Sequence, residues 1–443
     1  MSASDKDTST IINNKKDYDQ NVLIKYCNNN IGKACEYIDN FDKININFSK
    51  FPLTMYKETI LMKKIIDKIN LECATDKKYK PIHYICKFST PEIIKYIIDK
   101  EVDLECETLE KWRPIHYICK FSTPEMIKYI IDKGVDLECE NNERWRPIHF
   151  ICRFSTPEMI KYIIDKGVDL ECAILEKWRP IHFICRFSTP DMVKYIIDKG
   201  VYIECETLQK WRPIHFICRN SASEMIKYII DKGVDLECEI LEKWRPIHFI
   251  CRYSTPEMIK YIIDKGVDLE CKDDDEWRPI HFICRYSTPD MIKYIIDKGV
   301  YIECETLQKW RPIHFICRNS ASEMIKYIID KGVDLECENN ERWRPIHFIC
   351  RFSTPEMIKY IIDKGVDLEC AILEKWRPIH FICNYSTSEM LAYIINKGAN
   401  KHSRICEYNE NDVNYNINDI IKKRLSDVIS DIKNAKFLDG YKD

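Results

Sequence analysis

One string limits what this chain can fold into: Trp145-Arg146-Pro147-Ile148-His149-Phe150-Ile151-Cys152. With one or two substitutions it begins at Trp112, Trp145, Trp178, Trp211, Trp244, Trp277, Trp310, Trp343 and Trp376, and a shorter version runs from Lys80 to Cys86. Each interval is 33 residues, and the ten histidines from His83 to His380 keep the register without an insertion or deletion. A fixed period in the range of roughly 20–50 residues means a stacked array. The 443 residues would otherwise suggest about three domains, but an array grows by adding units that touch only their neighbours.

One period, 145–177, contains two helix signals. Pro147 suits the first position of a helix, and Ile148, Phe150, Ile151 and Cys152 make that helix short and apolar nearly all round, so it is expected to be buried. In Ser155-Thr156-Pro157-Glu158 a hydroxyl can cap, proline takes the first turn, and glutamate complements the positive helix end. Met159, Ile160, Ile163 and Ile164 form one stripe, while Lys161 and Asp165 stand four apart on another face. Gly167 is placed to end the second helix in the left-handed conformation; the first repeat has Glu101 there. Val168 to Cys172 then reads as extended, with a polar tip leading to the next tryptophan. The pattern is helix, turn, helix, finger.

Outside the array, residues 1–16 are polar and expected to be frayed. A short helix pair is expected from Asp17 to about Ile38, and residues 58–73 form a degenerate half-repeat with one residue missing before Leu71. The organisation is thus 1–16 disordered, 17–77 degenerate capping helices and a partial repeat, 78–406 array, and 407–443 tail. In that tail, Ile417, Ile420, Ile421, Leu425, Val428, Ile429 and Ile432 make one stripe, which reads as an amphipathic capping helix.

The charges balance, with 68 Lys plus Arg against 71 Asp plus Glu, so net charge gives no argument for nucleic acid. Of the 23 cysteines, ten fall in the His-x-x-Cys register and ten in the Leu/Ile-Glu-Cys register; only Cys27, Cys35 and Cys406 lie outside. An odd total in a long chain points to reduced thiols. No secretory signal or transmembrane run is visible. A soluble, cytoplasmic monomer without cofactor is expected.

The period and element order resemble the ankyrin repeat. That family's Thr-Pro-Leu-His-x-Ala-Ala is matched by Arg146 to Cys152, its Glu-Ile-Val-Lys-Leu-Leu-Leu by Glu158 to Ile164, and its Gly-x-Ala-Asp-Val-Asn-Ala region by Lys166 to Cys172. The resemblance covers about residues 45–406 and implies an all-α solenoid of about ten repeats plus degenerate caps. It also implies a non-enzymatic scaffold that binds a protein along the concave finger and first-helix face. The Ile/Lys/Asn-rich composition is similar to the ankyrin families of amoeba-infecting giant DNA viruses, which would make the partner a host protein. Three departures stand out. Arg replaces the Thr before Pro; Lys, Arg or Glu replaces the glycine of the finger turn, which is therefore expected to depart from the usual one; and Ser-Thr or Ser-Ala replaces Gly-His between the helices.

His149, Cys152 and Cys139 are residue types that bind zinc, but both cysteines stand where the family has small buried alanines, and a buried thiol packs as a small hydrophobe. Packing is the preferred reading, with no metal. There is no phosphate loop, nucleophile elbow or His-Glu-x-x-His, hence no catalytic set.

The candidate binding residues are the nine tryptophans and the row at the end of the first helix: Lys120, Arg153, Arg186, Arg219, Arg252, Arg285, Arg318 and Arg351. Trp and Arg are enriched at binding hot spots. The alternatives are that Trp and Arg stack within the array, which is the first preference; that they bind a protein; or that they stack single-stranded nucleic acid. A spacer without a specific partner is a further alternative. Asp169 and Glu171 are placed to neutralise the Arg146 row. Residues 206–239 recur identically at 305–338, and 140–185 at 338–383, so uniformity among repeats can record copying.

Overall fold

The structure is a computed structural model that describes residues 18–220 and 222–400. The frayed N-terminus and the amphipathic tail helix lie outside the described residues. The chain divides into two compact bodies between Leu208 and Gln209. Among the described residues there are helices and turns and no strand, as the all-α reading requires.

The first body opens with Gln20–Asn29 and Ile31–Asp39, followed by two 3-10 turns and the helix Thr59–Lys68. Complete repeats follow. In the repeat that begins at Trp145, the first helix is Pro147–Phe154 and the second is Pro157–Asp165. Pro147 takes the first helical position, where its missing N–H costs nothing. All residues from Pro147 to Cys152 are buried, so this stretch forms the spine of the stack, and only Arg153 and Phe154 at the helix end reach solvent. In the second helix the stripe Met159, Ile160, Ile163 and Ile164 is buried. Thr156 caps it by accepting from the Met159 N–H at 3.3 Å. The second body repeats the scheme from Pro213–Asn220 to Ser388–Asn396. In the two Ser-Ala-Ser repeats the capping position is Ala222 or Ala321 and no side-chain cap forms, a loss of about 1 kcal/mol each.

Gly167 takes φ +82°, with open space where a Cβ would stand, so backbone conformation alone selects glycine there. Glu101 adopts the same left-handed region at φ 58°. Lys161 and Asp165 do not pair along their helix. Asp165 accepts from the Tyr195 hydroxyl at 2.5 Å and from Lys199 Nζ at 3.3 Å, both in the next repeat, and Lys161 Nζ lies 5.3 Å over the Tyr195 ring. The second helices are thereby tied edge to edge across the repeat boundary.

Candidate protein interface

Each repeat turns at its finger tip on a non-glycine residue with positive φ, from Lys111 and Arg144 at 57° and 62° to Lys375 at 64°. The expectation of an unusual turn is therefore corrected: the left-handed backbone that glycine favours is kept. The cost, of order 1 kcal/mol, is met by hydrogen bonds. The Asn141 carbonyl accepts from the Arg144 N–H at 2.8 Å, the Asn141 N–H donates to the Trp145 carbonyl, and the Asn141 Oδ1 accepts from the Glu143 and Trp145 N–H groups. Successive tips are joined by one backbone bond each, such as Leu175 N–H to the Glu143 carbonyl at 3.1 Å.

The buried tip position is Thr108, Asn141, Thr207, Thr306 or Asn339 in five repeats, but Asp273 in one. Asp273 accepts from the Asp275 and Trp277 N–H groups, and burial pushes its carboxyl up to about 6. A carboxyl raised on folding favours its neutral form; it costs stability as pH rises from the ordinary carboxylate range to about 6, and fully above that. Thr108 makes the equivalent bond to Trp112 without a charge, whereas Asn141 leaves its buried Nδ2 unbonded. Asp273→Thr is therefore expected to gain about 1–2 kcal/mol at pH 8, measured by urea unfolding, with the gain shrinking below pH 6. An equal gain at pH 8 and pH 5.5 would refute the electrostatic origin.

At the head of the first helix, Arg146 cannot accept a hydrogen bond, so it does not replace the capping threonine. The cap comes from His149, whose Nδ1 accepts the Arg146 N–H at 3.0 Å while its Nε2–H donates to the Cys172 carbonyl at 3.2 Å. Both imidazole nitrogens are thus used in the neutral form, and the ring is fully buried. Burial lowers the His149 pKa to about 4. The sulfur beside it is Cys172, 3.5 Å from Nε2; Cys139 instead adjoins His116. Burial pushes the Cys139 and Cys172 thiols up to about 12 and Cys152 well above its usual range. These are neutral thiols and poor nucleophiles. Among the described residues no group of three or more His, Cys, Asp or Glu is arranged to hold a metal.

The Arg146 guanidinium is held by Glu138 at 2.5 Å and by Asp169 of the next finger at 3.3 Å, and the Asp169 N–H donates to the same Glu138. The inner arginine row is therefore neutralised within the fold. Where Tyr202 and Tyr301 replace that aspartate, Arg179 and Arg278 lie 5.9 Å over their rings.

All nine tryptophans, Trp112 to Trp376, are half-buried. Trp145 packs against Phe150 of its own helix at 4.7 Å and Phe183 of the next at 5.3 Å between centroids. Arg153 lies over it at 5.7 Å. The same stacking holds Lys120 over Trp112 and Arg186, Arg219, Arg252, Arg285, Arg318 and Arg351 over their own tryptophans, at 5.3–6.0 Å. The tryptophan faces are thus occupied by protein, while the arginines remain exposed.

Beside them stand the aromatic rings at the last position of the first helix, where the sequence varies between Phe154, Asn220 and Tyr253 and which were not among the candidate binding residues. Phe121, Phe154 and Phe187 in the first body are 48–50 % exposed, and Tyr253, Tyr286, Phe352 and Tyr385 in the second are 46–55 % exposed. Their signal was an aromatic residue at 33-residue spacing, interrupted by Asn220 and Asn319, two steps beyond the last buried position. The tip leucines, including Leu109 and Leu175, are also exposed. Between two successive repeats, Trp145, Arg153, Ile174, Glu176, Trp178, Phe183, Arg186 and Phe187 line a cavity of about 220 Å³, a size suited to one side chain.

No helix among the described residues is long and apolar enough to cross a membrane. A comparison with curated proteins finds no match. A family model described as ankyrin repeats in three copies matches overlapping windows at 7–141, 82–174, 115–207, 148–240, 214–306, 247–339 and 313–405. Ankyrin repeats are generally protein–protein interaction modules and typically non-enzymatic. With those windows spanning most of the sequence, and with two helices and a finger in every 33 residues, the chain belongs to the ankyrin repeat family.

Proposed function

We propose that the protein is a non-enzymatic scaffold that holds a protein partner against its fingers and the ends of its first helices. One observation carries this: the repeated half-exposed ring, Phe121, Phe154 and Phe187 in the first body and its counterparts in the second, standing beside a cation that is half-buried at Lys120 and exposed where it is arginine. Single exposed apolar residues are ordinary, but a regular series is the mark of an interaction surface. Eight of the nine tryptophans, Trp112 to Trp343, support it from behind by positioning the cations. The Ile/Lys/Asn-rich composition supports a place among the ankyrin families of amoeba-infecting giant DNA viruses, and so a partner in the host cytoplasm.

Single-stranded nucleic acid is a less favoured reading, because stacking of bases needs free ring faces and the Trp145 faces are already covered by Phe150, Phe183 and Arg153. The test is a triple change, Phe121→Ser, Phe154→Ser and Phe187→Ser, at exposed positions that leave the core intact. The far-UV spectrum is expected to be unchanged. Affinity for a partner captured by the wild-type chain is expected to fall about 30-fold or more, the loss of one hot spot. Undiminished capture would remove this face from the reading.

A further inference from the structure

The outer arginine row is not uniform. Arg153 lies 5.7 Å over Trp145, 5.0 Å over Phe154 of its own helix, and 5.9 Å over Phe187 of the next. Arg252 has the same three neighbours, at 5.6, 5.2 and 5.8 Å, and so has Arg351, at 5.8, 5.1 and 5.6 Å. These three are 99 residues apart in sequence. Arg285 lies over its tryptophan and its own Tyr286 at 5.5 and 5.1 Å, but its third ring is the inner Phe315 and not a helix-end ring. Arg219 and Arg318, where asparagine ends their helices, keep only their tryptophan among the described residues. A guanidinium stacked on rings is held flat, and its five N–H donors then face outward in a fixed fork that fits a carboxylate bidentately. Among the described residues, Arg153, Arg252 and Arg351 have neither a carboxylate partner nor a side-chain hydrogen bond, and each is exposed. By contrast the inner row, represented by Arg146, is saturated by Glu138 and Asp169. The fold thus spends its own acids on the inner arginine row and leaves Arg153, Arg252 and Arg351 without one.

We infer that Arg153, Arg252 and Arg351 are three equivalent carboxylate receptors, and that the partner is a protein segment in which an acidic side chain alternates with an apolar one. The carboxylate would meet the guanidinium fork, and the apolar side chain would meet the exposed helix-end ring beside it. A polyphosphate backbone fits less well, because the tip glutamate Glu176 lines the cavity next to Arg153 and would face every passing phosphate. This inference rests on the proposed interface and specifies the chemistry of its partner.

The test uses the full chain labelled with nitrogen-15 in arginine and titrated with acetyl-Glu-Phe-Glu-amide. Three Nε–H resonances are expected to move together, and R153Q, R252Q and R351Q should each remove one of them. R219Q and R318Q should leave all three. Arg153→Lys keeps the charge but loses the flat fork, and is expected to weaken its site several-fold. Raising the salt from about 50 to 300 mM should weaken all three sites several-fold. Shifts spread evenly over the whole arginine row, or no shifts, would overturn the assignment; so would equivalent shifts induced by oligo-dT but not by the peptide. If the triple variant R153Q/R252Q/R351Q retains a natural partner that the triple serine variant loses, the carboxylate assignment fails and the interface stands. If both variants retain it, the interface itself fails.

Discussion

Acidification from pH 7 to pH 4.5 is expected to unfold the array cooperatively, with uptake of several protons. The cause is a buried neutral imidazole in each repeat. For His116, His149, His182, His248, His281, His314 and His347, burial holds the pKa at about 4. In the unfolded chain a histidine titrates near 6.5. A base whose pKa is depressed on folding contributes stability above the unfolded value and loses it as pH falls toward the folded one. The loss is about 1.4 kcal/mol per histidine for each pH unit below 6.5. Over seven copies this passes the whole stability of an ordinary domain, about 5–15 kcal/mol, near pH 5. The chemistry agrees with the sign: in His149, Nδ1 already faces the Arg146 N–H, so a second ring proton would point donor at donor. The exposed carboxylates with lowered pKa, such as Asp165, whose carboxyl accepts from the Tyr195 hydroxyl, lose their contribution below the usual carboxylate range and so act later. Far-UV circular dichroism between pH 8 and pH 4 measures the effect. Full helicity at pH 4.5 with an unshifted urea midpoint would contradict it.

The second large effect is expected from Trp145→Ala, a loss of about 3 kcal/mol in urea unfolding. The ring bridges two repeats, touching Phe150 on one side and Phe183 on the other, so its removal weakens a junction and not just one helix. In an array whose stability is a sum of repeats and interfaces, a weakened junction should broaden the transition and lower the denaturant slope. Trp145→Phe keeps part of the stack and should cost about 1 kcal/mol. A sharp transition with an unchanged midpoint for the alanine variant would mean that the stack holds nothing together.

Local chemistry was legible in the sequence wherever it acts within one repeat. Pro147, Thr156 and Gly167 mark helix starts and ends by their own backbone preferences, and the structure places them so. Contacts between repeats were not legible. Lys161 and Asp165 read as a helix pair, yet both turn to Tyr195, because a neighbouring helix offers a ring and a hydroxyl that solvent does not. The tip residue Arg144 read as a departure from the usual turn, yet it keeps a left-handed φ of 62°, because several hydrogen bonds outweigh one strained residue. At the interface, the Trp and Arg rows were visible as rows. Which ring carries which cation depends on how far one repeat is rotated against the next, and the spacing of a single chain does not encode that rotation.

The tip-to-tip bond has a consequence for how such a gene changes. Leu175 reaches Glu143, Asn142 reaches Glu110 and Asn340 reaches Gln308 through the same backbone atoms, whatever side chains the two residues carry. A copying slip that removes or adds 33 residues therefore joins two surfaces already made to fit, and the protein shortens or lengthens without a seam. A slip of 99 residues also carries over the order of ringed and unringed arginines. Length in this molecule is an inherited variable that mutation can adjust in whole steps while the junctions stay the same.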